Sequence, residues 1–208
     1  MRRVSIALLS GLLAMYGPAA LAVDFPNGLY WGVNAGVAED TDFCGRFTPA
    51  FQFSELPGCD DRDFGWQLYA GYQFMKWISA EGGYTDLGSS DQRVVQDSIV
   101  SKVKGWNLGI AFTLPYLEKI GLYGLGGAYF WDKDVVLRRT GLSVSDAVSD
   151  TGTDYYYGIA LRYPFTEKIG ISIEFKEFRD VGSKKSGQVI VVGNSDHRLY
   201  TGGLTFRF

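Results

Sequence analysis

The chain has 208 residues, with 20 basic and 23 acidic side chains and a formal net charge of −3. Because there is no basic excess, the composition gives no reason to expect a nucleic-acid partner. The sequence is rich in glycine (27), phenylalanine (14) and tyrosine (13). Beyond its first 22 residues it has no apolar run long enough for a spanning helix. This composition suits a closed β-sheet with aromatic residues at membrane interfaces.

The first 22 residues predict a secretory signal peptide. Arg2 and Arg3 form a basic start, residues 4–15 are largely apolar and uncharged, and Ala-Leu-Ala at 20–22 is a small-x-small cleavage site. The alternative is a membrane anchor, but the apolar run is shorter than the roughly 20 residues that a spanning helix needs. We therefore predict a signal peptide at 1–22 and one exported domain at 23–208.

Two cysteines, Cys44 and Cys59, lie in one polar, turn-rich segment of the exported domain. A local, even pair in an exported protein predicts a disulfide, whereas two free thiols are disfavoured in an oxidising periplasm. A metal site needs more cysteine and histidine ligands than this segment offers. We expect neither a metal nor a cofactor.

Eight segments of the domain alternate between apolar and polar residues with a period of two, as strands with two different faces do. In the seventh segment Ile171, Ile173 and Phe175 share one face, and Ser172 and Glu174 share the other. The predicted strands are Leu29–Val37, Phe64–Phe74, Trp77–Leu87, Lys102–Leu114, Ile120–Asp132, Asp154–Phe165, Ile169–Phe178 and His197–Phe208.

The connections between these strands alternate between short and long. Residues 75–76, 115–119 and 166–168 form short connections, whereas residues 38–63, 88–101, 133–153 and 179–196 form long polar ones. Short turns on one rim and long loops on the other are typical of outer-membrane barrels. The sequence thus predicts an all-β fold, a closed antiparallel eight-stranded up-and-down transmembrane barrel located in the outer membrane.

Charged residues on the polar face do not by themselves choose between two kinds of barrel. In a lipocalin-like barrel the apolar face turns inward and these charges meet water. In a membrane barrel they line the lumen, because charges in hydrocarbon are costly. The signal peptide and the loop pattern favour the second arrangement. We predict a mutually neutralising luminal network of five residues: Glu81, Arg162, Glu174, Lys176 and Arg207.

Several short motifs resemble the OmpA-type family of outer-membrane barrels. Gly71-Tyr72-Gln73-Phe74 and Ala80-Glu81-Gly82-Gly83-Tyr84 resemble its second and third strands, and residues 203–208 resemble its closing strand. The resemblance implies insertion by the outer-membrane assembly machinery, with Phe206 and Phe208 as the C-terminal signal. Many members continue into a peptidoglycan-binding domain, which we do not expect here because the sequence ends at Phe208.

The same resemblance implies a structural, adhesive or surface-interaction role without enzymatic activity. The expected partners are outer-membrane lipid and lipopolysaccharide, the assembly machinery, and an external ligand or host surface. A narrow or gated pore controlled by ion pairs is the alternative. A lipid A-modifying enzyme is a third reading, because Ser195 and Asp196 precede the single histidine, His197. Catalysis is disfavoured because strand parity turns Ser195 and His197 toward the lumen.

Overall fold

The computed structural model describes residues 28–46, 59–94, 97–114, 120–139, 145–182 and 194–208. These residues form nine strands and one four-residue helix. In chain order they are β1 (Gly28–Asp40), α1 (Phe43–Arg46), β2 (Cys59–Asp60), β3 (Arg62–Met75), β4 (Ile78–Val94), β5 (Asp97–Leu114), β6 (Gly121–Arg139), β7 (Ser145–Pro164), β8 (Ile169–Val181) and β9 (Ser195–Arg207).

The eight long strands form one closed antiparallel ring. Each pairs with the next along the chain, and β1 pairs with β9 to close the sheet. The two-residue β2 pairs only with β4 and lies outside the ring. The predicted closed eight-stranded barrel is therefore confirmed. Among the described residues no helix is long and apolar enough to cross a membrane.

The two faces of each strand divide as the period-two pattern predicts. On β8 the side chain of Ile173 is 66% exposed, whereas its neighbour Glu174 is 2% exposed. A ring whose outer surface is apolar and whose inner surface is polar is the arrangement that lipid requires. Closure also satisfies the backbone, because an open sheet edge in hydrocarbon would leave N–H and C=O groups without partners.

An outward row of aromatic residues marks one edge of the apolar band. Tyr84, Trp106 and Phe130 are direct neighbours on β4, β5 and β6. The next outward-facing residues, two positions farther along each of these strands, are charged, and Lys104 lies between Asp86 and Asp132. Because charged groups avoid hydrocarbon, the lipid region ends between these two rows. We call the end of the barrel beyond them the long-loop rim, and the opposite end the short-turn rim.

The prediction of loops at 88–101 and 133–153 was wrong, because most of these residues continue the sheet. β4 pairs with β5 as far as Val94 and Asp97, and β6 pairs with β7 as far as Arg139 and Ser145. A tilted membrane strand needs about 9–11 residues, and β7 has 20. The long-loop rim is therefore a tall, hydrogen-bonded extension of the barrel on the β4–β7 side.

One pair of glycines lets neighbouring strands approach closely inside the barrel. Gly109 on β5 lies directly opposite Gly127 on β6. A Cβ atom at Gly109 would lie 2.3 Å from the carbonyl oxygen of Gly126, and one at Gly127 would lie 2.2 Å from that of Leu108. Both obstacles are backbone atoms, so side chains cannot move aside to relieve them. A Cβ atom at Gly124, in contrast, meets nothing within 4 Å.

We expect Gly127→Ala to destabilise the barrel by about 1–3 kcal/mol, the range typical of overpacking. Gly124→Ala is the matched control on the same strand and should change the free energy of unfolding by less than about 0.5 kcal/mol. Urea unfolding of both variants in lipid vesicles measures the difference. Equal stability of the two variants would contradict the close approach.

Candidate functional site in the barrel lumen

Four charged side chains meet inside the lower half of the lumen, toward the short-turn rim. Glu81 comes from β4, Arg162 from β7, and Glu174 and Lys176 from β8. All four have the inward strand parity and are buried. The set contains two carboxylates and two cations, so its formal charges cancel.

Arg162 joins the two carboxylates. Its Nη1 lies 2.6 Å from Oε1 of Glu81, and its Nη2 lies 3.0 Å from Oε1 of Glu174. The second oxygen of Glu174 lies 3.2 Å from Nζ of Lys176. Each charge therefore has an opposite charge in direct contact, which a buried ion needs if it is to remain ionised.

Neutral side chains fill the remaining hydrogen-bonding positions of the network. The Tyr30 hydroxyl donates to Oε1 of Glu81 at 2.6 Å. Gln67 donates from Nε2 to Glu174 at 2.5 Å and accepts at Oε1 from Lys176 at 2.7 Å. These contacts matter because a buried ion pair is stable only when its other donors and acceptors are also satisfied.

Aromatic rings surround the guanidinium group at the centre of the network. The Cζ atom of Arg162 lies 4.7 Å from the ring centroid of Tyr123 and 5.1 Å from that of Tyr69. Both distances are within the range of cation–π attraction. The rings also occupy space that water would otherwise fill, which narrows the lumen at this level.

Arg207 is the fifth predicted member of the network. It lies near the end of β9 at the short-turn rim and is half-buried. Its Cζ atom is 6.0 Å from the ring centroid of Tyr30. Arg207 thus borders the network through Tyr30.

An apolar layer lies beyond the network toward the long-loop rim. Phe178 and Val181 of β8 are fully buried, and Leu199 of β9 is nearly so. The ring centroid of Phe178 lies 4.6 Å from that of Tyr129 and 5.6 Å from that of Tyr156. These side chains reach into the lumen from β6, β7, β8 and β9 and form a second obstruction above the ion pairs.

A second polar cluster, which the sequence analysis did not predict, lies above the apolar layer. Nζ of Lys133 donates to Oγ of Ser195 at 3.1 Å. Oγ of Ser195 donates to Oδ2 of Asp40 at 3.1 Å and lies 3.1 Å from Nε2 of His197. All four residues are buried. Lys133 was missed because the predicted strand ended at Asp132, although its parity with Tyr129 would have pointed it inward.

The geometry of this cluster differs from that of a catalytic triad. Oδ2 of Asp40 lies 3.6 Å from Nε2 of His197, the same nitrogen that faces Ser195. In a triad the carboxylate binds Nδ1, which leaves Nε2 free to take the serine proton. Ser195 is also only 2% exposed, which gives a lipid substrate no access.

Phe206 and Phe208, the predicted C-terminal signal, lie outside the lumen. Phe206 stacks on Trp31 with ring centroids 4.5 Å apart, and Phe208 is exposed at the short-turn rim. Cys44 lies in α1 and is not a free thiol. The side chain of Cys59 falls outside the described residues, so the Cys44–Cys59 disulfide stays a prediction. Within the described ranges no cluster of three His, Cys, Asp or Glu side chains fits a metal ion.

Polar contacts also hold the long-loop rim together. Oδ2 of Asp63 accepts hydrogen bonds from both the backbone N–H and the hydroxyl of Ser89, each at 2.7 Å. Burial alone would raise the pKa of the Asp63 carboxyl, but these hydrogen bonds, together with one from the Phe64 backbone, hold the pKa below its ordinary value. Hydrogen bonds between side chains and backbone therefore order this end of the barrel.

Comparison with known proteins identifies the same architecture elsewhere. A family model described as "OmpA-like transmembrane domain" matches residues 25–208. The attachment invasion locus protein Ail of Yersinia pestis superposes with a TM-score of 0.52 at 17% identity, covering 88% of this chain and 100% of Ail. Neisserial surface protein A superposes with a TM-score of 0.51 at 13% identity, covering 87% and 97%.

A second structure of Ail, in complex with the heparin analogue sucrose octasulfate, gives a TM-score of 0.50 at 16% identity and covers 87% of this chain and 99% of Ail. At these identities the likenesses show the fold alone. No curated protein sequence matches the chain.

We expect Arg162→Leu to lower the free energy of unfolding by about 3–5 kcal/mol, less whatever water in the lumen recovers, because it strands two buried carboxylates. Arg207→Leu is the matched control, since it makes the same change at the half-buried rim, and should cost less than about 1 kcal/mol. Unfolding in urea, followed by gel migration of the folded and unfolded forms, compares the two. A smaller loss for Arg162→Leu than for Arg207→Leu would contradict the network.

Proposed function

The chain belongs to the OmpA-like transmembrane domain family, and from this premise we propose a non-enzymatic outer-membrane barrel that is closed to ions and presents its long-loop rim outside the cell. The role is structural, adhesive or otherwise one of surface interaction. The proposal rests on the observation that the lumen is obstructed. It is obstructed twice in series, by the ion-pair network around Arg162 and by the apolar layer around Phe178. An interior of eight strands is only wide enough for its side chains to fill.

The tall extension of the long-loop rim supports the surface role. Four strands continue past the aromatic row as a paired sheet, which is a larger outward surface than a membrane anchor needs. Ail was solved with a heparin analogue, but here the predicted long connections carry more acidic than basic residues. A sulfated polyanion would meet repulsion at this rim, so we expect a partner that is not polyanionic.

Other parts of the proposal concern export and the membrane itself. The signal peptide at 1–22, cleaved before Val23, delivers the chain to the periplasm. Phe206 and Phe208 present the closing strand to the outer-membrane assembly machinery. The exposed apolar band contacts outer-membrane lipid, with lipopolysaccharide beside the aromatic row on β4, β5 and β6.

A narrow or gated pore is the second candidate, and one observation favours it. Among the described residues, buried atoms on the luminal face have no hydrogen-bond partner in the protein, including Nε of Arg162 and the hydroxyls of Tyr123 and Thr201. Such atoms are normally paired with water. A hydrated lumen with ion pairs that exchange partners would conduct.

Planar-bilayer recording separates the two candidates. We expect the wild-type barrel to give no single-channel steps. Glu81→Ala with Arg162→Ala removes an ion pair without changing the net charge, and Phe178→Ala opens the apolar layer. The double variant keeps the apolar layer and the Phe178→Ala variant keeps the ion pairs, so we expect both to remain insulating. The variant with all three substitutions should conduct.

Heat-dependent gel migration checks that each variant forms the barrel before it is recorded. Steps from the wild-type protein would overturn the closed barrel in favour of the pore. An insulating triple variant that is properly folded would show that these two layers are not what closes the lumen.

Cysteine labelling in intact cells tests the orientation of the rims. Thr151, on the long-loop rim, and Thr166, on the short-turn rim, are both exposed. We expect Thr151→Cys to react with a membrane-impermeant maleimide on intact cells, and Thr166→Cys to react only after the outer membrane is permeabilised. The wild-type chain provides the background from Cys44 and Cys59. The reverse labelling pattern would contradict the proposed orientation.

A further inference from the structure

A small cavity lies below the ion-pair network, where the lumen meets the short-turn rim. Its walls come from β7, β8 and β9, and the inward-facing residues among them are Arg162, Pro164, Gly170, Thr205 and Arg207. Pro164, Gly170 and Thr205 are direct neighbours on the three strands. Because Gly170 has no side chain, β8 contributes only backbone at the centre of this row, which makes room for the cavity. We call it the rim cavity.

The size of the rim cavity limits what can occupy it. About 20 Å³ is open to the centre of a water-sized sphere. This is enough for one water molecule or one ion of similar size, and too little for a sugar or a nucleotide. Arg207 and Gly170 are half-buried, whereas Arg162 and Thr205 are buried. The cavity therefore opens to the short-turn rim and ends at the network, so an occupant enters without crossing the lumen.

Arg162 brings an unsatisfied donor to the rim cavity. Its Nη1 and Nη2 atoms contact Glu81 and Glu174, but among the described residues its Nε has no hydrogen-bond partner. Arg162 is only 4% exposed, and a buried donor is normally paired. Nε is therefore the nitrogen of this guanidinium group that still needs an acceptor.

The other walls of the rim cavity add positive charge and a further donor. Arg207 supplies a second guanidinium group, which has donors and no acceptor. The hydroxyl of Thr205 lies 2.8 Å from that of Tyr69, and when Tyr69 donates this bond, Thr205 keeps its own proton for an occupant. Among the described residues no acidic side chain lines the cavity. The walls thus favour an occupant that accepts hydrogen bonds and carries negative charge.

An anion fits these walls better than water does. The Cζ atoms of Arg162 and Arg207 lie 5.6 Å and 6.0 Å from the ring centroid of Tyr30, so both cations are near the same space. Water would satisfy Nε of Arg162 but would leave the two positive charges uncompensated by the occupant. Like charges repel more strongly in a protein interior than in water, and a negative charge beside both is favoured to the same degree.

We propose that the rim cavity binds a single monatomic anion, chloride, through Nε of Arg162, the hydroxyl of Thr205 and the guanidinium group of Arg207. The bound ion gives Nε its acceptor and links β7 to β9 across Gly170 of β8. It thereby holds Arg162 in position and stabilises the network above it. The inference goes beyond the proposed function, because it requires neither an external partner nor a conducting lumen.

Urea unfolding of the barrel in lipid vesicles tests whether chloride binds. Gluconate replaces chloride at constant ionic strength, because this larger anion does not fit the cavity. We expect the ratio of folded to unfolded protein to rise by the factor 1 + [Cl⁻]/Kd, which is about tenfold when chloride is at nine times its Kd. Bromide should act as chloride does. Each variant below is compared with itself in gluconate, so that a loss of stability alone does not count.

Two variants and two matched controls locate the effect. Arg207→Gln and Thr205→Val each remove a group that holds the ion, and each should weaken chloride binding by at least about tenfold, because a hydrogen bond to a charged group is lost. Lys168→Gln removes the same charge from the same rim, at an exposed residue outside the cavity. Thr205→Ser keeps the hydroxyl. Both controls should keep the full chloride dependence.

Anomalous scattering from crystals soaked in bromide locates the ion directly. We expect a peak in the rim cavity within hydrogen-bonding distance of Nε of Arg162, and no such peak in crystals of Arg207→Gln. Absence of both the peak and the chloride dependence would show that water alone occupies the cavity and would overturn the proposal. A peak without the chloride dependence would mean an adventitious ion only, and a chloride dependence without the peak would place the ion elsewhere; each also overturns it.

These measurements use the purified barrel and record no current. Their failure therefore leaves the conductance and labelling results standing. Single-channel steps from the wild-type barrel would in turn overturn the closed lumen and leave the anion site intact.

Discussion

The backbone of a sheet in lipid must satisfy its own hydrogen bonds, and the rest of this structure depends on that constraint. Closure of β1 on β9 removes both open edges within the membrane. Eight strands then fix a narrow interior that side chains can fill. The side chains inside the ring must fit this space and together be neutral, while the side chains on its outer face must tolerate hydrocarbon. The constraint ends with the lipid, and beyond that level β4 to β7 continue as a paired sheet.

The narrow interior explains why its charged residues form a compact network. Glu81, Arg162, Glu174 and Lys176 are buried, so each must find its counter-charge within the ring. Replacing such a network with apolar residues is often neutral or stabilising in soluble proteins. Here the polar lining also distinguishes the inner face from the outer one. A strand shifted by one residue would direct charges into lipid, so the network strongly disfavours the wrong register.

Most of the membrane-spanning fold could be predicted from the sequence, because lipid and lumen impose opposite demands on alternate residues. Ile173 and Glu174 differ so sharply in exposure for this reason, and the inward parity of all five predicted charges followed from it. The extent of β6 and β7 could not be predicted in the same way. Beyond the lipid both faces of a strand meet water or polar groups, and the period-two signal disappears. Lys133 was assigned to a loop for this reason.

Contacts between side chains of different strands were harder to predict than whether each side chain points inward or outward. Arg207 shares the inward parity of the other charges, yet it lies at the rim, because its height along the axis depends on strand stagger. The cluster of Asp40, Lys133, Ser195 and His197 comes from three strands that are distant in sequence. No spacing along the chain encodes that meeting. The proximity of Ser195 and His197 was visible in the sequence, but the side from which Asp40 approaches was not.

The luminal charges are divided unevenly between the two halves of the chain. Among the described buried luminal residues, β1 to β5 contribute Asp40 and Glu81, both acidic. β6 to β9 contribute three cations, Lys133, Arg162 and Lys176, and one buried luminal carboxylate, Glu174. Over these buried residues the first half of the chain carries two negative charges and the second half a net two positive charges, so neither set is neutral alone. A partly assembled intermediate carries an uncompensated field along its concave face, which attracts the missing half and is cancelled when the last seam closes.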